Sequence, residues 1–412
     1  MPLTKINQVL LSEIESMKAN KTAKGEEMIV EKVIPATGNK GPRFVIRGYE
    51  GKEFLRMNSN SYLGLSFRKD LRHAAEEKSE VFGAGPGAVR FISGTYSTHI
   101  ELEQTLARFH GKEAAMLFSA AYMATLGCLS SLISSETIVI SDELNHNCII
   151  NAIRMSRPKE KLIYPHLDLQ SLKKQLEEKK GACKRVLVIT DGIFSMRGDH
   201  APLDQISDIC KEFDSQYEEG VLLIVDDSHG VGAFGETGRG TIEYTHAQGV
   251  DVLIGTLGKA FGTNGGYLVT DHRIVEYLHQ KAPTYIYSNP ISPGEAASAK
   301  KAVELIDSSE GKEILKRLKM LTHRFKQGLI DNGFETLPGE HPVVPLMIRD
   351  SKKTAETVSF LKENGVLATG LNYPVVPKGD EEIRFQISAE HTPEDIDTVL
   401  QILIACKKQY QS

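Results

Sequence analysis

Lys259 stands in Gly255-Thr256-Leu257-Gly258-Lys259-Ala260-Phe261-Gly262, directly after the largely apolar run Val250 to Ile254. A lysine fenced by small residues at a strand end presents its amine to a ligand, and such an amine can serve as nucleophile and base. Two further segments end in the same way. Val186-Leu187-Val188-Ile189 runs into Thr190-Asp191-Gly192-Ile193-Phe194-Ser195, and Val221-Leu222-Leu223-Ile224-Val225 runs into Asp226-Asp227-Ser228-His229-Gly230. An amine, an acid, an imidazole and a hydroxyl brought together can attack a carbonyl carbon and move a proton.

The elements that must position these groups are legible in the same runs. Continuous Val/Ile/Leu stretches, separated by amphipathic segments such as Leu203 to Phe213, read as buried parallel strands joined by crossover helices. All three motifs then fall on one edge of one sheet, where open α/β sheets bind their ligands, outside the carboxyl ends of the strands. Two nucleotide-binding readings fail. A P-loop requires glycine where Leu253 stands and serine or threonine where Ala260 stands. Gly83-Ala84-Gly85-Pro86-Gly87-Ala88 follows the charged, helix-like stretch Lys69 to Phe82 and not a strand, so it reads as a loop and not a dinucleotide fingerprint.

The chain has 412 residues, 41% of them hydrophobic, 25% charged, and a net charge of -5. That balance lacks the basic footprint of a nucleic-acid binder and suits a small-metabolite protein. Cys128, Cys148, Cys183, Cys210 and Cys406 are scattered and without CxxC spacing, which argues for neither a disulfide framework nor a metal site. The start of the chain carries Glu13, Glu15 and Lys18 and lacks an apolar signal core, so a cytoplasmic setting is expected. The uncharged stretch Ala114 to Ser135 holds Ser119, Thr125, Gly127, Ser130, Ser131 and Ser134. It reads as a strand leading into a packed helix, not as a membrane span.

Three regions are expected. Residues 1–60 carry an amphipathic helix and short strands near Phe44 to Ile46 and Phe54 to Met57; residues 61–295 form the large α/β domain; residues 296–412 form a smaller α+β domain. In the last region Lys301 to Asn332 is helical, with strands at Pro345 to Ile348 and Ile383 to Ser388 and a helix from Thr354 to Asn364. The terminal helix is capped by Thr392 with Pro393 at its first position.

The motifs together resemble the α-oxoamine synthases, a family of enzymes that depend on pyridoxal 5'-phosphate (PLP). The resemblance rests on Asn60-Ser61-Tyr62-Leu63-Gly64, Arg90-Phe91-Ile92-Ser93-Gly94-Thr95, His99 with Glu101-Leu102-Glu103, Ser141-Asp142 with Leu144-Asn145-His146, Asp226-Asp227-Ser228-His229 and Thr256-Leu257-Gly258-Lys259. Within the family, Tyr373-Pro374-Val375-Val376-Pro377-Lys378-Gly379 and Tyr287-Ser288-Asn289 most resemble the glycine C-acetyltransferases. The 8-amino-7-oxononanoate synthases and serine palmitoyltransferases are sister groups.

The resemblance implies fold type I: a mostly parallel seven-stranded sheet covered by helices, plus the smaller C-terminal α+β domain. It implies that Lys259 forms a Schiff base with the PLP aldehyde and then acts as a base at the substrate Cα, that Asp226 pairs with the pyridine nitrogen, that His146 stacks on the ring and that His229 lies near the phenolic oxygen. Ala121 and Tyr122 at a helix N-terminus, with Thr256, would hold the phosphate; the family usually has Gly, Ser or Cys where Ala121 stands. Ser288 matches a hydroxyl supplied by a neighbouring subunit, implying a homodimer with a shared active site. Arg384, assisted by Asn60, would hold the substrate carboxylate. Ser195 and Asn145 are lesser contacts, and Arg90 is open between a coenzyme A phosphate contact and a structural ion pair. The implied reaction is condensation of glycine with acetyl-CoA, the alternative being a decarboxylating synthase that takes alanine or serine and a longer acyl-CoA.

Overall fold

The computed structural model describes residues 3–20, 23, 25–373 and 375–411. Its main sheet has seven strands in the order Ala114–Phe118, Gly266–Thr270, Val252–Thr256, Val221–Asp226, Arg185–Asp191, Thr137–Asp142 and Glu160–Tyr164. The pairings are parallel except at Gly266–Thr270, which runs antiparallel to both neighbours.

The unbroken apolar runs have a direct cause. Val186 and Val188 point into one buried cluster with Ile138, Ile140, Leu223 and Val225. Leu187 and Ile189 point into another with Val139, Ile224, Val252 and Ile254. Both faces of the sheet are therefore covered, and no strand position can be polar without cost. Each fully buried aliphatic side chain contributes roughly 1.5–3 kcal/mol. The helices Leu203–Asp214 and Ala121–Leu132 lie on opposite faces, contributing respectively Leu203, Ile206 and Phe213 to the first cluster and Ala124, Cys128 and Leu129 to the second.

A second sheet of four antiparallel strands, in the order Glu335–Thr336, Val343–Met347, Glu382–Gln386 and Thr369–Leu371, forms the C-terminal part. The early strand Leu55–Arg56 pairs in parallel with Val366–Leu367, tying the start of the chain to this part. The terminal helix Pro393–Gln411 begins as expected. Asp395 N–H donates to Thr392 Oγ1 at 3.1 Å, and Thr392 N–H donates back to Asp395 Oδ2 at 3.0 Å.

The region read as helical from Lys301 to Asn332 is covered by two helices, Pro293–Ile306 and Ser309–Asp331, the second capped by Ser308, whose Oγ accepts from Gly311 N–H at 3.2 Å. The strand Val30–Ile34, paired with Arg43–Ile46, went unread because its residues are largely exposed and show no buried alternation. The N-terminal helix Leu3–Ala19 is present but buries no residue against the chain. Among the described residues no helix is long and apolar enough to cross a membrane.

Candidate active site

The three strand-end motifs do converge. Lys259, Asp226, Asp191, Ser195, Ser228, His229, His146, Cys148, Ala120, Ala121, Tyr122, Ile193 and Thr256 line one cavity of about 290 Å³. Asp191 and Asp226 close adjacent parallel strands in register, so their carboxyls lie side by side.

Lys259 follows its strand through a turn in which Gly258 N–H donates to Thr256 Oγ1 at 3.2 Å. Burial lowers the Lys259 ammonium pKa from 10.5 to about 8, against the pull of Asp226 and Asp191 and with a push from Arg384. At pH 7 roughly one amine in ten is then unprotonated, several hundred-fold more than for a free lysine side chain.

Asp226 is positioned by its neighbours. Its Oδ2 accepts from Thr125 Oγ1 at 3.0 Å and lies 3.5 Å from Cys148 Sγ, while Oδ1 accepts from Ser228 N–H at 3.1 Å. Asp191 accepts from His146 N–H at 2.9 Å; burial and the adjacent Asp226 push its carboxyl well above the usual range. His146 caps the helix Asn147–Ser156, its Nδ1 accepting from Cys148 N–H at 3.2 Å. Burial lowers the His146 pKa; Asp226 opposes the shift and Lys259 adds to it. His229 is held neutral, its pKa driven well below 6.5 by burial and by Lys259 and Arg384.

Whether PLP suits this cavity can be judged from its walls. Ala121 and Tyr122 open the twelve-residue helix Ala121–Leu132, and the first N–H groups of a helix have no partner within it. Gly266 brings its strand so close that a Cβ there would lie 2.1 Å from Ala121 N, so only glycine permits this approach. Ser228 Oγ is buried with no partner among the described residues, although it lines the cavity. Anion donors at one end, an acid, an amine and an unused hydroxyl match a phosphorylated pyridine aldehyde. The residues fit the cofactor.

Beyond Lys259 a second, open cleft of about 440 Å³ is lined by Arg56, Asn58, Ser59, Asn60, Ser61, Ser66, Gly258, Lys259, Gly262 and Thr263. Arg384 borders this region through Asn60, whose Oδ1 accepts from Nη2 at 2.9 Å. Gln386, its amide oxygen turned toward Arg384, accepts from Nε at 2.8 Å. Among the described residues the hydrogen-bond partner of Nη1 is the thioether of Met196, 3.7 Å away, a weak acceptor that a carboxylate would displace.

The structure bears on Arg90, Asn145 and Ser288 as well. Arg90 is buried and spends its guanidinium on Glu103, both contacts at 3.1 Å, and on Thr95 Oγ1 at 3.0 Å. It forms the structural ion pair that was one of the two expectations for it. Asn145 is likewise spent, donating to Ser141 Oγ and the Ile189 carbonyl and accepting from Asp191 N–H. Ser288, expected to reach the site of a neighbouring subunit, does not line the cavity of its own chain. Residues that went unread are Tyr62, Thr125, Cys148, Asp191 and His341. Asp191 could have been found, since it ends its strand as Asp226 ends the next.

His166 braces the rim. Its Nδ1 is 3.0 Å from Asp142 Oδ1, its Nε2 is 3.2 Å from Asp199 Oδ2, and its ring meets Phe194 edge-on. These contacts join the turn before His146 to the loop carrying Ser195. The two carboxylates outweigh burial and raise the His166 pKa to about 9. A histidine raised in the folded state stabilises fully below the unfolded value near 6.5 and loses that contribution as pH climbs through 9. The unfolding free energy from urea titration should therefore fall between pH 7 and 9.5 in the natural protein by about 1–2 kcal/mol more than in His166→Asn, part of the full linkage value being lost to solvent screening of a partly buried ring. Equal slopes in the two proteins would refute the brace.

Comparison with known proteins agrees with this geometry. Residues 52–403 match the family model "Aminotransferase class I and II". The chain is 40% identical over 353 residues to 8-amino-7-oxononanoate synthase of Thermosipho melanesiensis, covering 85% of this chain and 88% of that one. It is 35% identical over 405 residues to 8-amino-7-oxononanoate synthase 1 of Bacillus velezensis, covering 98% of each. Among solved structures, serine palmitoyltransferase from S. paucimobilis superposes with a TM-score of 0.86 at 28% identity, covering 99% of this chain and 98% of that one.

Proposed function

Because the chain belongs to the α-oxoamine synthases of the class I and II aminotransferases, PLP-dependent transferases, we propose that it C-acylates a small amino acid with an acyl thioester. Within that class the reading preferred is the reaction for which its 8-amino-7-oxononanoate synthase relatives are named. The carbon skeleton of that product divides into a two-carbon amine unit, left by alanine after loss of carbon dioxide, and a seven-carbon acyl group ending in carboxylate. The observation that carries the reading is that Lys259 lines both the cofactor cavity and an open polar cleft, its ammonium pKa lowered by burial.

Bound PLP supplies an aldehyde that bonds to amines and a ring that accepts the electron pair left at Cα. The chain does the rest. Asp226, fixed by Thr125 and Ser228, keeps a proton on the ring nitrogen. Lys259, once displaced by the substrate amine, takes the Cα proton at Nζ. Arg384, steadied by Asn60 and Gln386, holds the substrate carboxylate through Nη1. The acyl carbon then bonds to Cα, the carbon–sulfur bond breaks and the thiol leaves; in the preferred reading the bond from Cα to the carboxylate then breaks, carbon dioxide departs, and Lys259 Nζ returns a proton to Cα. Cleft walls of serine, asparagine, threonine and arginine favour an acyl group that is short or polar at its end over a long alkyl chain.

A second reading, glycine with acetyl-CoA, is favoured by Tyr373 to Gly379 and Tyr287-Ser288-Asn289; Pro374 lies outside the described residues. In either reading Ser288 serves the cavity of a second copy in a homodimer. The test is coenzyme A release, with carbon dioxide measured in parallel, for glycine, alanine and serine crossed with acetyl-, palmitoyl- and a seven-carbon dicarboxylic acyl-CoA. Alanine with the dicarboxylic donor should exceed other pairs at least about tenfold, with carbon dioxide equal to thiol. Glycine and acetyl-CoA leading without carbon dioxide would transfer the assignment to the second reading, and no release from any pair would sink the synthase reading.

A further inference from the structure

We propose that Tyr62 is a positioning residue that sets the tautomer of His229: its hydroxyl donates to Nδ1, so that the single ring proton sits on Nε2 and faces the cofactor cavity. The inference rests on the PLP reading only for what that proton meets. The tautomer itself follows from the protein alone.

Tyr62 is fully buried and its hydroxyl lies 2.7 Å from His229 Nδ1. A neutral imidazole has one N–H, so Nδ1 either accepts from tyrosine or donates to it. If Nδ1 donated, the tyrosine proton would need another acceptor, and the available one is Asn60 Oδ1 at 3.4 Å. That is beyond the 2.5–3.0 Å range of O–H···O bonds, and Asn60 Oδ1 is already taken by the Arg384 cation at 2.9 Å. The arrangement would leave a buried hydroxyl unsatisfied. The reverse arrangement satisfies the tyrosine hydroxyl and Nδ1 together and leaves only the Nε2 proton, on the cavity side, to be met. Burial raises the tyrosine pKa, against a pull from Arg384, and keeps the hydroxyl a neutral donor.

His341 supports the same geometry from behind. Its Nδ1 accepts from Val343 N–H at 3.1 Å, which leaves its proton on Nε2, and that proton is given to the His229 carbonyl at 2.9 Å. Backbone and ring of His229 are thus both fixed by residues that never enter the cavity. His229 lines the cavity, and its Nε2 has no partner among the described residues. With PLP bound, a donor held there would be available to the phenolic oxygen and would favour its anionic form.

The test reads the proton directly. In cofactor-free protein carrying ¹⁵N-histidine, with His229 assigned by its loss in His229→Gln, Nδ1 should show a pyridine-type shift and Nε2 a pyrrole-type shift. In Tyr62→Phe, which keeps the ring and its packing, the His229 signals should move toward a mixture of tautomers. Asn60→Ala should leave them as in the natural protein. With PLP bound, Tyr62→Phe should raise the pH midpoint of the lysine–cofactor absorbance and lower kcat about tenfold, while KM for the amino acid stays within about twofold. Protonated Nδ1 in the natural protein, or an unchanged tautomer in Tyr62→Phe, would overturn the inference. Coenzyme A release without that tautomer would leave the synthase reading standing, and the tautomer without coenzyme A release would leave this inference standing.

Discussion

Lys259→Ala should lower turnover at least about 10⁴-fold, because it removes both the covalent attachment point and the base. Borohydride treatment of the natural protein should fix the cofactor irreversibly, and of the variant should fix none. PLP should still bind the variant, less tightly, through the helix N-terminus at Ala121 and Tyr122 and through Asp226. The pH dependence has a definite sign: with the amine pKa lowered to about 8 by burial, cofactor attachment to the empty protein should accelerate as pH rises from 7 to 9 and then level off. A reducible adduct surviving in Lys259→Ala would place the chemistry on another lysine.

The largest effect on stability should come from Arg90→Ala. The Arg90 and Glu103 side chains are 3% and 11% exposed, and Glu103 also accepts from Leu117 N–H at 3.1 Å, tying the segment to a strand of the main sheet. Removing one charge leaves the other buried without its partner, a loss of about 3–5 kcal/mol. Arg90→Met combined with Glu103→Leu should recover most of it, since apolar replacement of a buried pair is often neutral. Urea denaturation of the single and double variants provides the measurement. A loss in Arg90→Ala confined to acyl-CoA affinity, with stability unchanged, would return Arg90 to the substrate.

The contrast between Lys259 and Arg90 shows what the sequence makes legible. Lys259, Asp226, His229 and Ser195 follow runs whose both faces are buried, so their strands announce themselves and the topology gathers their ends. Arg90 sits in an irregular segment where nothing in the spacing tells a buried partner from a ligand. Tyr62 is hidden for another reason: a tyrosine packed at 0% exposure looks apolar in sequence, and the atom that matters is one hydroxyl aimed across 167 residues of chain. His341 is a lone histidine whose partners are both backbone groups. The helix break at Ser308 was readable from its capping serine, and the antiparallel insertion of Gly266–Thr270 was not, since its composition matches its neighbours.

Lys259 follows a strand of the seven-stranded sheet, whereas Arg384 lies in a strand of the four-stranded one. Register within either sheet therefore does not set the distance from the base that strips Cα to the fork that grips the carboxylate. That distance is calibrated by the packing of one layer on the other, around Tyr62, His229 and His341. Rate and bond selectivity are consequently exposed to drift from core substitutions that touch no substrate, and tuning them requires no new side chain in the cavity.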